Sequence, residues 1–287
     1  MSPENSAVDI ELLTVRPVGA ASFKLLVAFG EDQYFAPCLR DQDCWEPAET
    51  LLLQRMLRPG MSVVDVGAHV GYFSVLMWRC VGKTGRVTAF EPDPDHFRLL
   101  CANVLVNACD QVEARRLAIT NEKEQARLYR SRTNPGDQRL HPVAGRPSIA
   151  VACDSLDRQL GPAGLDLVKM DCQGSEPRIL KGMSGLIERN RDRLCLLLEF
   201  APGLLAQSGC SVEAFSQLLR SAGASTFLVE TSANVAHLVE LDLVNAGLET
   251  VARRLSRSGL DDDSANLLVV FGEQGRGLWL DRAMQSA

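Results

Sequence analysis

Apolar and polar positions fall into two regimes along the chain. Residues 11–18 and 23–29 are short, partly alternating segments with Gly19 between them and Gly30 after them, which predicts a hairpin. Residues 47–57 set Leu51, Leu52, Leu53, Met56 and Leu57 behind Pro47 and Glu49 and stop at Pro59-Gly60, the pattern of a helix. From residue 60 strand-like apolar runs alternate with helical ones. Strands are predicted at 62–66, 86–90, 111–118, 165–170, 194–198, 226–230 and 266–271. Helices are predicted at 72–80, 95–107, from 177 onward, and at 212–222. Such alternation predicts an α/β fold with a doubly wound, mostly parallel seven-stranded sheet. The hairpin and first helix form an N-terminal extension, residues 1–58, ahead of a main domain at 59–287. Residues 1–8 are expected to fray.

Two stretches break the alternation. Residues 122–151 hold Arg127, Arg130, Arg132, Arg139 and Arg146 around Asn134-Pro135-Gly136-Asp137. Residues 232–264 are expected to be helical around 243–255. Both read as insertions on the substrate side, because long loops in compact domains are more often functional than not.

Candidate chemistry gathers at 63–71, Val-Val-Asp65-Val-Gly67-Ala68-His69-Val-Gly71. An apolar run ends in an acid, two glycines follow four positions apart, and an amphipathic run begins. That is strand, tight turn, helix, with a ligand over the turn. The spacing is neither the dinucleotide fingerprint nor a Walker loop. An acid at the strand end disfavours a pyrophosphate and suits a ligand carrying an ammonium. Glu91 ends the second strand, where a carboxylate accepts from both hydroxyls of a ribose. Together these describe S-adenosylmethionine. Ligands of open parallel sheets lie beyond the carboxyl ends of the strands, and Asp65, Glu91, Asp171 and Glu199 all fall there.

Three segments carry a family resemblance: 63–71; Val87-Thr-Ala-Phe-Glu91-Pro92-Asp-Pro94; and Leu165-Asp-Leu-Val-Lys169-Met-Asp171-Cys-Gln173-Gly174-Ser-Glu176. The chain resembles the FkbM family of S-adenosylmethionine-dependent methyltransferases, with a Rossmann-like class I fold, over roughly residues 40–230. Trp45–Thr50 and Leu196–Phe200 are similar to that family's flanking segments. The resemblance implies O-methylation of a small-molecule hydroxyl, in secondary metabolites or sugars. Two positions depart from the family pattern: Gln173 stands where Glu is common, and His69 where Asn is common.

The cofactor-binding set implied is Asp65, Gly67, Ala68, His69, Gly71, Glu91, Pro92, Ala118 near the adenine edge, Asp171, and Glu49 near the methionine end. The catalytic candidates are Asp171, Glu199 and His69. Asp171 can accept the hydroxyl proton or, alternatively, cap the turn that follows it. Lys169 faces the same side of the strand and can pair with Asp171 or Glu199. Glu199-Phe200 lacks the Asp-Asn pair of metal-dependent O-methyltransferases, so no metal ligand is assigned. Asp137, Arg139 and His141 are candidate substrate contacts, with a solvated loop as the alternative. His96 and His237 read as surface residues. The alternative activities are N-methylation, methylation of a carrier-bound intermediate, or a cofactor-binding interaction module without catalysis.

Charge and composition narrow the partners. A net charge of −6 is a poor footprint for nucleic acid or an anionic membrane. The start of the chain is acidic and polar, unlike a signal peptide. No run of about 18 apolar residues predicts a membrane span. The 9 cysteines, irregularly spaced and without a C-x-x-C, read as free thiols of a reducing, cytoplasmic compartment. The hairpin and the insertion offer surfaces for a homodimer.

Overall fold

The computed structural model describes residues 9–232, 235–245, 247–255 and 264–284. The expectation for residues 1–8, and part of that for 232–264, lies outside the described residues.

A two-stranded antiparallel hairpin opens the described chain: β1 (Ile10–Val15) and β2 (Phe23–Ala28), with Val15 opposite Phe23. Phe23, Leu25 and Val27 alternate into the core, as a half-buried strand requires. Two helices follow, α1 (Phe35–Gln42) and α2 (Pro47–Met56). The first was not predicted. Asp32 supplies its start, its carboxylate accepting from the amides of Tyr34, Phe35 and Ala36.

The main sheet then builds in βα steps: β3 (Ser62–Val66), α3 (Tyr72–Val81), β4 (Arg86–Phe90), α4 (Pro94–Val106) and β5 (Val112–Arg115). A short β6 (Ala118–Ile119), β7 (Glu124–Tyr129) and β8 (Ser148–Asp154) form a separate three-stranded sheet in the order β6-β8-β7. The remaining strands are β9 (Leu167–Met170), β10 (Cys195–Phe200), β11 (Ala224–Ser232), β12 (Val235–Leu241) and β13 (Ala265–Phe271). The main sheet runs β12-β11-β13-β10-β9-β3-β4-β5. Strands β5, β4, β3, β9 and β10 pair parallel in turn, and β13 inserts antiparallel between β10 and β11.

The predicted seven strands are therefore present, and an eighth, β12, extends the edge. It lies in the 232–264 insertion, ahead of the part expected to be helical around 243–255, where a helix forms at Gly247–Leu255. β12 takes its conformation from antiparallel pairing with β11, a non-local gain that local pattern does not record. The predicted third strand, 111–118, is also divided. It leaves the main sheet after Arg115, and Ala118–Ile119 pairs instead with β8, some thirty residues on. The arginine-rich insertion thus contributes β7 and β8 to a small sheet beside the ligand edge.

Both faces of the central strands are covered, so they are apolar almost throughout. Val63, Leu167, Cys195 and Leu197 meet α2, α3 and the hairpin on one face. Val64, Val66, Val168, Met170, Leu196 and Leu198 meet Ile179, Leu205 and Phe215 on the other. No helix among the described residues is long and apolar enough to cross a membrane.

Two close approaches set the ligand edge. Asn103, fully buried on α4, accepts from the Leu26 amide at 2.6 Å and donates to the carbonyls of Leu26 (3.0 Å) and Val70 (2.8 Å). It stitches the hairpin to the glycine turn. Gly67, at φ +81°, presses against β9, where an added Cβ would lie 2.1 Å from the Asp171 carbonyl oxygen. Gly60 has a similar φ, +87°, but its nearest neighbour would be 3.7 Å away. Replacing either glycine by alanine carries the left-handed backbone cost, whereas only Gly67→Ala adds a collision. Urea unfolding should therefore show Gly67→Ala costing about 1–3 kcal/mol more than Gly60→Ala; equal losses would contradict this packing.

Candidate active site

The site forms where β3, β4, β9 and β10 end. After Val66 the chain turns through Gly67 and Ala68, whose amides both donate to the Phe90 carbonyl at 3.0 Å. His69 sits at φ +51° and gives its amide to Glu91 Oε2 at 2.8 Å. Gly71, at φ +92°, begins α3 without a side-chain cap, and a Cβ there would lie 2.6 Å from Leu100 Cδ1. The helix can start this close to α4 only because Gly71 has no side chain.

Asp65 lies within β3 and is 1% exposed. Its Oδ2 accepts from the Ser74 hydroxyl at 2.6 Å, while its Oδ1 is buried without a hydrogen-bond partner. Burial raises its pKa, against the opposing pull of Lys169 and Ser74. Glu91 is 4% exposed. Its two oxygens accept one backbone amide each, from Asp93 and from His69, both at 2.8 Å. Burial pushes its pKa up to about 8 in spite of those two donors.

Lys169, on β9, is the cation of the cluster. Its ammonium is 3.7 Å from Asp171 Oδ2 and 4.3 Å from the centre of the Phe73 ring. Burial works against its charge, but Asp171, Glu46, Asp65 and Glu199 outweigh burial and raise its pKa. Glu46 sits at φ +41° just before α2, and burial carries its pKa to about 8. Glu199, one residue from the end of β10, has its pKa raised well above the carboxylate range by burial and then by Asp171. Between Asp171 and Glu199 lies Gln173, whose amide nitrogen is 2.8 Å from Asp171 Oδ1 and 2.9 Å from Glu199 Oε2.

A cleft of about 540 Å³ opens over the turn. Gly67, His69, Glu91, Pro92, Ala118 and Asp171 line it, together with His96 and Gln173. His96 was read as a surface residue and is instead buried here, because Asp93 caps α4 and brings its first turn against Glu91. The His69 and His96 rings meet edge to face, 4.3 Å between centres. Burial lowers both pKa values, that of His96 to about 4. The only advance signal for His96 was its position five residues after Glu91, in the first turn of the helix that Asp93 caps.

Other predicted site residues lie elsewhere. Glu49 is buried in α2, where Oε1 accepts from Asn266 of β13 at 2.6 Å. Asp137 takes Arg139 Nε at 2.5 Å and the Arg146 guanidinium, and Arg139 also reaches Gln207 at 2.8 Å. These two arginines hold the Asp137 carboxyl below its ordinary pKa although burial acts the other way. His141 stands beside this group, its pKa lowered by burial and by Arg139. None of the three lines the cleft; their neighbours Gly136, Gln138 and Leu140 do. The Asp137 ion pairs clamp the insertion so that those neighbours form one wall.

The family model for the FkbM methyltransferase domain matches residues 65–216, more than half of the chain. The chain belongs to the FkbM methyltransferase family. No curated protein matches it. Similar solved structures include precorrin-6y C5,15-methyltransferase of Geobacter metallireducens GS-15, 10% identical over 77% of this chain and 85% of that one, TM-score 0.42. A SAM-dependent methyltransferase of Aquifex aeolicus is 16% identical over 64% and 82%, TM-score 0.40. The O-methyltransferase of Bacillus cereus, solved with SAH, is 14% identical over 77% and 78%, TM-score 0.40. In this FkbM methyltransferase the family segment begins at the acid of the glycine turn and runs past β10.

The raised pKa of Glu91 gives a pH signature. A carboxyl whose folded pKa lies above its unfolded one contributes full stability below about pH 4.5 and loses it as pH rises through about 8. Glu91→Gln removes that titration. From pH 5 to 8, wild-type stability should fall relative to Glu91→Gln by up to about 1 kcal/mol per pH unit. Chemical denaturation at several pH values measures the difference, and a constant difference would contradict the burial of Glu91.

Proposed function

We propose that this FkbM methyltransferase transfers the methyl group of S-adenosylmethionine to a hydroxyl of a small molecule, with Asp171 accepting the hydroxyl proton. The observation that carries this reading is the position of Asp171. It lines the cleft with its side chain 30% exposed, beside the glycine turn, while Asp65, Glu91 and Glu176 nearby are buried.

The residues present fit S-adenosylmethionine. Glu91 spends one lone-pair direction of each oxygen on a backbone amide and keeps the others for a vicinal diol. Asp65 holds a buried oxygen without a partner, suited to an ammonium. Gly67 lets the turn pack directly on the Asp171 carbonyl, which keeps Asp171 beside the turn that would hold the cofactor. Phe90, Leu117 and Ile119 give an apolar lining suited to an adenine. When bound, S-adenosylmethionine supplies an electrophilic methyl group on a sulfonium.

The acceptor oxygen forms its bond to the methyl carbon as the carbon–sulfur bond gives its electron pair to sulfur, and the hydroxyl proton passes to Asp171. Lys169, 3.7 Å from Asp171 Oδ2, pairs with the carboxylate that takes the proton. Alignment of nucleophile and methyl then supplies much of the rate, and the base adds its share.

The charges around the cleft support a neutral acceptor. Arg130 is engaged with Asp93 and Asp95, Arg127 with Ser148, and Arg139 and Arg146 with Asp137. Four of the insertion's five arginines thus have internal partners, and the fifth, Arg132, is exposed and does not line the cleft, whereas Asp171 does. Sugars and hydroxylated secondary metabolites are the first acceptor classes to test.

S-adenosylmethionine at about 100 times its dissociation constant should stabilise the protein by about 2.7 kcal/mol, read as a rise in melting temperature. With an acceptor in hand, Asp171→Asn should lower kcat by about 100- to 10,000-fold while keeping that rise. Unchanged turnover in Asp171→Asn would remove Asp171 from the chemistry; no thermal rise would remove the cofactor.

A further inference from the structure

Gln173 has no role in the reaction as written above, yet it occupies its centre. It stands at φ +51° in the turn after β9, a conformation that non-glycine residues hold only where the surroundings over-determine it. One side-chain nitrogen lies within 3 Å of two carboxylates from two strands, at 2.8 and 2.9 Å. An amide nitrogen carries two hydrogens, one for each. The groups facing this pair are Lys169 on β9, Asp65 on β3, His69 in the glycine turn, Glu46 before α2, Cys172 after β9, Glu176 at the start of helix Glu176–Lys181, and the Ser264 hydroxyl before β13.

We infer that Gln173 is a positioning residue for methyl transfer, its amide tying Asp171 to Glu199 so that the proton-accepting carboxylate is held in one orientation toward the acceptor. This rests on Asp171 being the base. Without the tie, Asp171 loses its link to β10 and is free to turn onto Lys169 alone. Glutamate at this position, otherwise the nearest replacement, cannot serve both partners. It would place three carboxylates together and bridge only one of them, and then only when protonated.

Gln173→Glu and Gln173→Leu test this in three measurements. The first is the melting temperature of the unliganded protein against pH. Gln173→Glu should melt near wild type at about pH 5 and fall progressively below it toward about pH 8, because the shared carboxyl must keep its proton; a parallel pH dependence would overturn the geometry. The second is kcat. Both variants should lose about 10- to 100-fold near pH 7.5, and the ratio of Gln173→Glu to wild type should rise as pH falls. The third is the dissociation constant of S-adenosylhomocysteine by calorimetry, expected within about threefold of wild type, since Gln173 acts on the base. If both variants keep wild-type kcat while Asp171→Asn is impaired, the base stands and the positioning role is wrong. If Asp171→Asn is also unimpaired, the reading beneath it fails as well. Should Gln173→Leu not fold, the kcat ratio of Gln173→Glu to wild type, compared between about pH 6 and 7.5, still decides the matter: a flat ratio overturns the positioning role.

Discussion

A single buried ammonium, Lys169, stands among Asp171, Glu46, Asp65 and Glu199, and its presence lets acids collect at the ends of four elements. Moving an isolated charge into a protein interior costs several kcal/mol unless it is paired. Here the cost is shared. Lys169 is charged because of the acids, and Asp171 is its ion-pair partner at 3.7 Å. The acids farther from that ammonium, Glu199 and Glu46, rise instead toward their protonated forms. Phe73, from α3, closes the other side of the ammonium with its ring face. The electrostatic balance therefore joins the glycine-turn helix, three central strands and the segment before α2 into one unit.

The turn itself is held by steric fit. Gly67 nests against the Asp171 carbonyl, Gly71 against Leu100, and Asn103 bonds the outer hairpin to Val70. These contacts come from the end of β9, α4 and β2, so the positions of Glu91 and Asp171 are set by the same packing. A displacement of the hairpin would reach the turn through Asn103, which links an extension outside the sheet to the cleft inside it.

Much of this was legible because its causes are local. Residues 62–66, 72–80 and 86–90 follow hydrophobic period and turn chemistry, and their bounds agree with the strands and helix observed. Acids at strand ends are visible for the same reason. What was not legible depends on distant partners. Ala118 and Ile119 continue an apolar run but join β8, whose pairing nothing near them records. β12 exists through β11. Asp137 and Arg139 have the composition of a solvated loop, and only the fold brings Arg146 onto the same carboxylate. His96 stands beside Asp95 in the polar first turn of α4, yet the Asp93 cap turns it inward against Glu91. Gln173 appeared as a departure from a motif; its two hydrogen bonds need both β9 and β10 in place.

The account turns on one claim, that the cleft over the turn holds an adenosine ribose on Glu91 with the reacting sulfur near Asp171. A crystal structure with S-adenosylhomocysteine tests it directly. The account predicts both ribose hydroxyls within about 3.2 Å of the Glu91 carboxylate, the amino group toward Asp65, and the sulfur on the Asp171 side of Gly67. A nucleoside bound away from Glu91, or with its sulfur on the opposite side of the turn from Asp171, would contradict it.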